Sequence, residues 1–166
     1  MNALIPGYPA DFFGAIEILK AREKLAIDDV KALAMVESAG EVFYLSVAKG
    51  LSNPAAKALL TKNGNEERGH AHRLLKAIKL LGGGDYTLPE NDQNPFVASV
   101  MGEFPVNVEF LAMLEMGEKD GDLMYQRWAA AESNPDVAKI YLQNGKEETL
   151  HSERATQVKQ LLGGKL

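Results

Sequence analysis

Two short stretches hold the residue types that can do chemistry together. One reads Asn63-Gly64-Asn65-Glu66-Glu67-Arg68-Gly69-His70. The other, 81 residues later, reads Asn144-Gly145-Lys146-Glu147-Glu148-Thr149-Leu150-His151. Each contains Glu-x-x-His, as Glu67/His70 and Glu148/His151. Residues three apart share one face of a helix, so this carboxylate and imidazole can bind a single metal ion together. Two such helices facing each other can hold two ions. Glu66 and Glu147 stand four residues before the histidines and fit the same face geometrically. A lone Glu-x-x-His is a surface-compatible polar pair. Here two of the three histidines sit in matched copies, and each copy has a glutamate 30 residues upstream, Glu37 or Glu118.

Positioning those residues requires long helices. Shifted by 81, residues 35–83 align with 116–164 without a gap and share 18 identities in 49 positions. A long period in two copies points to a duplicated bundle rather than a solenoid. Asp11 can cap a short helix near 11–24, after an irregular segment over residues 1–10. Asp28 or Asp29 can cap a long helix running to about Gly50. Ser52-Asn53-Pro54 and Ser133-Asn134-Pro135 are helix starts, with Asn at the N-cap and Pro where its missing N–H costs nothing. The helix from Pro54 should end at Leu81, with Gly82 supplying a left-handed residue beyond it. Gly64 lies within that helix and recurs as Gly145, which suggests a close helix approach or a local bulge. Residues 83–95 are turn formers and read as a connection, with a short helix from Pro95 through Met101. A third long helix is expected over about 106–132 and a fourth from Pro135 to Leu162. No strand pattern of useful length occurs. The expected fold is all-α: two duplicated helical hairpins joined by a long crossover, the ferritin-like form of four-helix bundle, in a single domain over 1–166.

The turns set the height of the chemistry. Glu37 lies 15 residues before Ser52, and Glu67 lies 13 after Pro54. At about 1.5 Å per residue these are roughly 22 and 20 Å from the same turn. The second hairpin repeats the arithmetic with Glu118, Ser133, Pro135 and Glu148. Four glutamates and two histidines therefore converge at mid-bundle. Buried together, four carboxylates would repel one another and lose hydration, so they must take up protons or cations. Two divalent ions would cancel them. Hard carboxylates with imidazole suit iron or manganese.

Composition narrows the partners. The chain has 166 residues, is 46% hydrophobic and 25% charged, and carries a net charge of −5. An acidic balance offers no basic surface to nucleic acid or anionic lipid. There is no cysteine, which excludes disulfides, thiolate zinc sites and iron–sulfur clusters. Met1 to Pro9 has no Lys or Arg and does not resemble a leader. No apolar run is long enough for a membrane span. A cytoplasmic protein is expected.

The pattern of one Glu on each of two helices and Glu-x-x-His on each of the others resembles the ferritin-like di-iron carboxylate family, within it the rubrerythrin-type branch. The matching residues are Glu37, Glu67, His70, Glu118, Glu148 and His151. The resemblance favours the i+3 glutamates over Glu66 and Glu147. It implies that Glu115, one turn before Glu118, is an extra mobile metal ligand, although the first copy has Ala34 there. Tyr44 and Tyr125, each seven residues after a proposed ligand, would hydrogen-bond ligating carboxylates. Arg73 and Arg154 would be ion-pair partners of buried acids. His72 should point away from His70. The implied cofactor is two iron ions, with manganese or a mixed pair as alternatives. The implied activity is an oxidoreductase reducing peroxide or dioxygen. Rubrerythrin proper usually adds a rubredoxin domain with four cysteines, so electrons are expected from a separate donor. A homodimer is also expected. The competing expectations are an iron-storage protein with ferroxidase loading and a bundle with a purely structural metal.

Overall fold

A computed structural model describes residues 4–163. Residues 1–3 of the irregular segment and Gly164, the last position of the repeat, lie outside them. Six helices follow in order: α1 (Phe12–Lys20), α2 (Ile27–Lys49), α3 (Pro54–Leu80), α4 (Val97–Val100), α5 (Val108–Ala131) and α6 (Pro135–Leu162). No strand occurs among the described residues, and no helix among them is long and apolar enough to cross a membrane.

The helix starts follow from their caps. Asn53 accepts from the amides of Ala55 (3.0 Å) and Ala56 (3.1 Å), ahead of Pro54. Asn134 repeats this with Asp136 (3.0 Å) and Val137 (3.4 Å). Asn107 caps α5 through the amide of Phe110 at 2.8 Å, and Asp11 caps α1 through Gly14 at 2.7 Å. Gly82 takes φ +87° beyond α3, the left-handed conformation a helix stop needs. Two expectations need correction. Helix α1 ends at Lys20 rather than near 24, because Leu25 is buried in the core and the turn before it redirects the chain. Asp29 is not an N-cap: it lies in the first turn of α2 and reaches back to the Ala26 amide at 2.8 Å. Its other oxygen accepts from Tyr8 (2.6 Å) and Arg22 (3.2 Å), which ties the N-terminal segment to α2.

Helices α2 and α3 pack as one hairpin and α5 and α6 as the other, and α3 lies against α6. Helices α1 and α4 cover α2. Within the crossover, Asn94 is buried and donates to the Met35 carbonyl at 2.9 Å, pinning the connection to α2. Two apolar clusters fill the bundle ends. The larger joins Ala32–Val36 and Ala39 of α2, Leu74, Ala77 and Ile78 of α3, Trp128 of α5 and Tyr141 of α6 with α1 and α4. The smaller joins Tyr44 and Val47, Leu60, Phe110, Leu111, Leu114 and Val158. The polar residues of interest lie between them.

Each hairpin closes tightly where glycine recurs. A Cβ on Gly64 would stand 3.2 Å from the Glu41 carbonyl and from Tyr44 Cβ. On Gly145 it would stand 2.8 Å from Asp122 Oδ1 and 2.9 Å from Tyr125 Cβ. Both positions are helical throughout, so the glycines serve close approach and form no bulge.

Candidate metal centre

Four helices deliver the polar layer. Helix α2 brings Glu37, α3 brings Glu67 and His70, α5 brings Glu118, and α6 brings Glu148 and His151. Two overlapping groups result. Glu37, Glu67, His70 and Glu148 place one ligand atom each within 4.8 Å of one another, and so do Glu67, Glu118, Glu148 and His151. Glu67 and Glu148 belong to both. His70 Nδ1 lies 3.5 Å from Glu37, 3.4 Å from Glu67 and 3.2 Å from Glu148. His151 Nδ1 lies 3.2 Å from Glu67, 3.4 Å from Glu118 and 3.2 Å from Glu148. The turn arithmetic thus describes the layer correctly.

Both Nδ1 atoms are buried and have no hydrogen-bond partner. They are surrounded by oxygens at distances suited to something between them. Ligands held about 2.1 Å from a metal stand about 3.0 Å apart around an octahedron. An orphaned imidazole nitrogen facing three carboxylates fits a cation, and the N/O donor set fits iron or manganese. Glycine makes room for the shared carboxylates: a Cβ on Gly40 would stand 3.3 Å from Glu67 Cδ, and one on Gly121 3.4 Å from Glu148 Cγ.

The other imidazole nitrogens are fixed from across the bundle. His70 Nε2 pairs with Glu147 at 3.1 Å, and His151 Nε2 pairs with Glu66 at 3.1 Å. Arg73 in turn donates to Glu147 (2.5 Å) and to Asn144 (2.6 Å). Arg154 donates to Glu66 (2.5 Å) and to Asn63 (2.9 Å). Asn63 reaches on to the His151 carbonyl at 3.3 Å, and Asn144 to the His70 carbonyl at 3.5 Å. These chains turn Nδ1 inward on both rings, which stack with centroids 5.2 Å apart. Glu66 and Glu147 therefore orient the imidazoles and do not stand in for Glu67 and Glu148. Sequence reasoning missed this role and that of the two asparagines. The signal was present, since Asn63/Asn144 and Glu66/Glu147 are identities of the repeat.

The tyrosines also cross the bundle. Tyr44 donates to Glu118 and Tyr125 donates to Glu37, each reaching the carboxylate of the opposite hairpin. Glu115 does not join the cluster. Its carboxylate takes the ammonium groups of Lys159 (2.8 Å) and Lys119 (3.0 Å), which hold its pKa down to about 2. His72 is exposed, as the helical angle required.

The layer is electrostatically unbalanced toward cations. Burial, and then the charge of Glu67, pushes Glu37 up to about 7. Glu148 is raised by burial and by Glu67 and Glu118. Glu67 goes the other way: burial opposes its charge, but His151 and His70 outweigh that and hold it low. Burial also disfavours charge on the imidazoles, yet the carboxylates prevail, raising His70 and pushing His151 up to about 12. Without metal, protons do the neutralising that metal ions would do.

The bundle and its buried carboxylate–imidazole layer define a helical protein with a site compatible with metal. Residues 30–159 match the rubrerythrin family model, and the chain belongs to the rubrerythrin family, whose domain is a ferritin-like fold. No curated protein and no solved structure matches the chain.

Proposed function

We propose that the chain is a dinuclear-iron oxidoreductase that reduces peroxide or dioxygen with electrons from a separate donor. One observation carries the reading: two ligand groups share Glu67 and Glu148, and each contains an orphaned, inward-facing His Nδ1. Glu67 and Glu148, common to both groups, would help hold both ions. His70 and Glu37 would complete one coordination sphere, and His151 and Glu118 the other. Bound iron would supply the electron transfer to the oxidant. The chain's own residues do the rest. Arg73–Glu147 and Arg154–Glu66 hold the imidazoles in one orientation. Tyr125 and Tyr44 donate hydrogen bonds that hold Glu37 and Glu118. The apolar clusters above and below keep bulk water from the layer. Glu115 would have to leave two lysines to become a ligand.

Elemental analysis of protein loaded anaerobically with Fe(II) tests the reading. Two ions per chain are expected, together with rapid oxidation of the bound iron by peroxide in stopped-flow absorbance. Zero or one ion, or iron that peroxide leaves reduced, overturns it.

A further inference from the structure

Tyr125 and Tyr44 occupy equivalent positions in the repeat, but their surroundings differ. The Tyr125 ring lies against Trp128 with centroids 5.4 Å apart in an edge contact, and 6.3 Å from Tyr141. Trp128 is the only tryptophan in the chain and is 1% exposed. Its indole N–H donates to the Arg22 carbonyl at 2.9 Å, in the exposed turn between α1 and α2. Indole and phenol are the two side-chain rings most easily oxidised by one electron. In contact they pass an electron readily, because tunnelling weakens steeply with distance. The first hairpin has Val47 at the position of Trp128. Tyr44 instead meets Phe43, which makes an edge contact with Phe104 and lies tilted against Phe110. Phenylalanine rings do not carry oxidising equivalents under such conditions.

We propose that Tyr125 and Trp128 form the electron path between the metal centre and the protein surface, opening at the Arg22 turn. The path rests on the reading of the centre as a redox site. An external one-electron donor at the turn is oxidised and the centre is reduced by the same electron. Trp128 gives an electron to oxidised Tyr125 and is refilled by the donor. The phenolic proton stays within the hydrogen bond between Tyr125 and Glu37, so the relay moves one electron and no net proton. Nothing is consumed in the relay itself.

The absence of cysteine allows a single thiol to be introduced. Glu23→Cys in the exposed turn, labelled with a ruthenium polypyridyl photo-oxidant, injects a hole beside Trp128 in the metal-free full chain. Transient absorption should show a tryptophan radical followed by a tyrosyl radical. Tyr125→Phe should remove the tyrosyl signal and leave the tryptophan one. Trp128→Phe should remove both. Tyr44→Phe should change neither. Circular dichroism confirms that each variant is folded, and Tyr125→Phe decides the matter should Trp128→Phe fail that check. A tyrosyl signal that survives Tyr125→Phe, or that disappears with Tyr44→Phe, overturns the path. Because this measurement needs no metal, its failure is separate from a failure of the iron stoichiometry or peroxide oxidation described above.

Discussion

The two hairpins are copies that agree closely at the carboxylate–imidazole layer and diverge in what covers their outer faces. At the layer, Glu37 matches Glu118, Glu67 matches Glu148, and His70 matches His151, with the Glu–His–Arg–Asn chains exchanged between α3 and α6. Outside it, Met35 of α2 is 0% exposed beneath Tyr86 and the crossover, while its counterpart Met116 of α5 is 66% exposed. Val47 is replaced by Trp128, and Ala34 by Glu115. A duplicated sequence can keep a site symmetric only where residues of both copies depend on each other. The layer residues do: each of the two carboxylate–imidazole groups draws on both hairpins, so a change in one copy unbalances both. The outer faces do not. The N-terminal segment and crossover pack chiefly on α2, with further contacts to α5 at Arg127 and Trp128, so matched positions such as Met35 and Met116 differ in burial.

The strongest test of the symmetric part removes a shared ligand. Glu67→Ala or Glu148→Ala should abolish both metal sites, whereas His70→Ala or His151→Ala should cost one ion each. Elemental analysis reads all four, and equal losses in every variant would mean the ions do not share carboxylates. The asymmetric part is broken by Met35→Ala against Met116→Ala. Truncating the buried methionine should cost about 2–5 kcal/mol, and the exposed one less than about 0.5 kcal/mol, by urea unfolding. Similar costs would mean that the α5 face is covered in solution. The orienting carboxylates should behave symmetrically: Glu66→Ala and Glu147→Ala should each weaken metal binding by roughly 10–100-fold in competitive chelator titrations. An effect confined to one of them would show that only one half of the exchange matters.

Glycine substitution should separate the hairpins more finely. Gly145→Ala places a methyl 2.9 Å from Tyr125 Cβ and should cost about 1–3 kcal/mol through overpacking. Gly64→Ala meets its neighbours at 3.2 Å, and the better helix propensity of Ala returns about 1 kcal/mol, so its effect should be smaller. Thermal unfolding of the two variants compares them. The smallest effect concerns pH. Glu115 and Glu147 both titrate near 2 in the fold, below the usual carboxylate value of 4.5. Depressed carboxylates add stability that is fully present above 4.5 and lost as pH falls toward 2. Glu147, held by the buried His70 and by Arg73, should keep its contribution in high salt, while Glu115, whose partner Lys119 is 61% exposed, should lose it. Urea midpoints of Glu115→Gln and Glu147→Gln across pH 2–5, with and without salt, measure the difference.

Much of the site was legible from one helix at a time. The i+3 spacing of Glu67/His70 and Glu148/His151 fixes a shared face because helical geometry is local. Distances from the Asn53-Pro54 and Asn134-Pro135 starts fix the height of Glu37 and Glu118 because the helical rise is constant. Local reasoning failed where two faces compete. Glu66 and Glu67 differ by about 100° around the helix, and nothing within α3 says which of them looks inward. Asp29 misled because a first-turn carboxylate and an N-cap leave the same trace in sequence. Glu115 lies near the ligand face, but Lys119 and Lys159 take its carboxylate, and Lys159 comes from another helix.

The sequence by itself determined the helices, the repeat, the mid-bundle layer and the chemistry of its donors, since these depend on spacing and residue type. Only the tertiary structure decided that the histidines are oriented by the opposite Glu-Glu pair, that each tyrosine serves the other hairpin, and that Trp128 touches Tyr125 on one side alone. Those facts depend on how helix faces meet, and that is set by packing contacts between residues far apart in the chain.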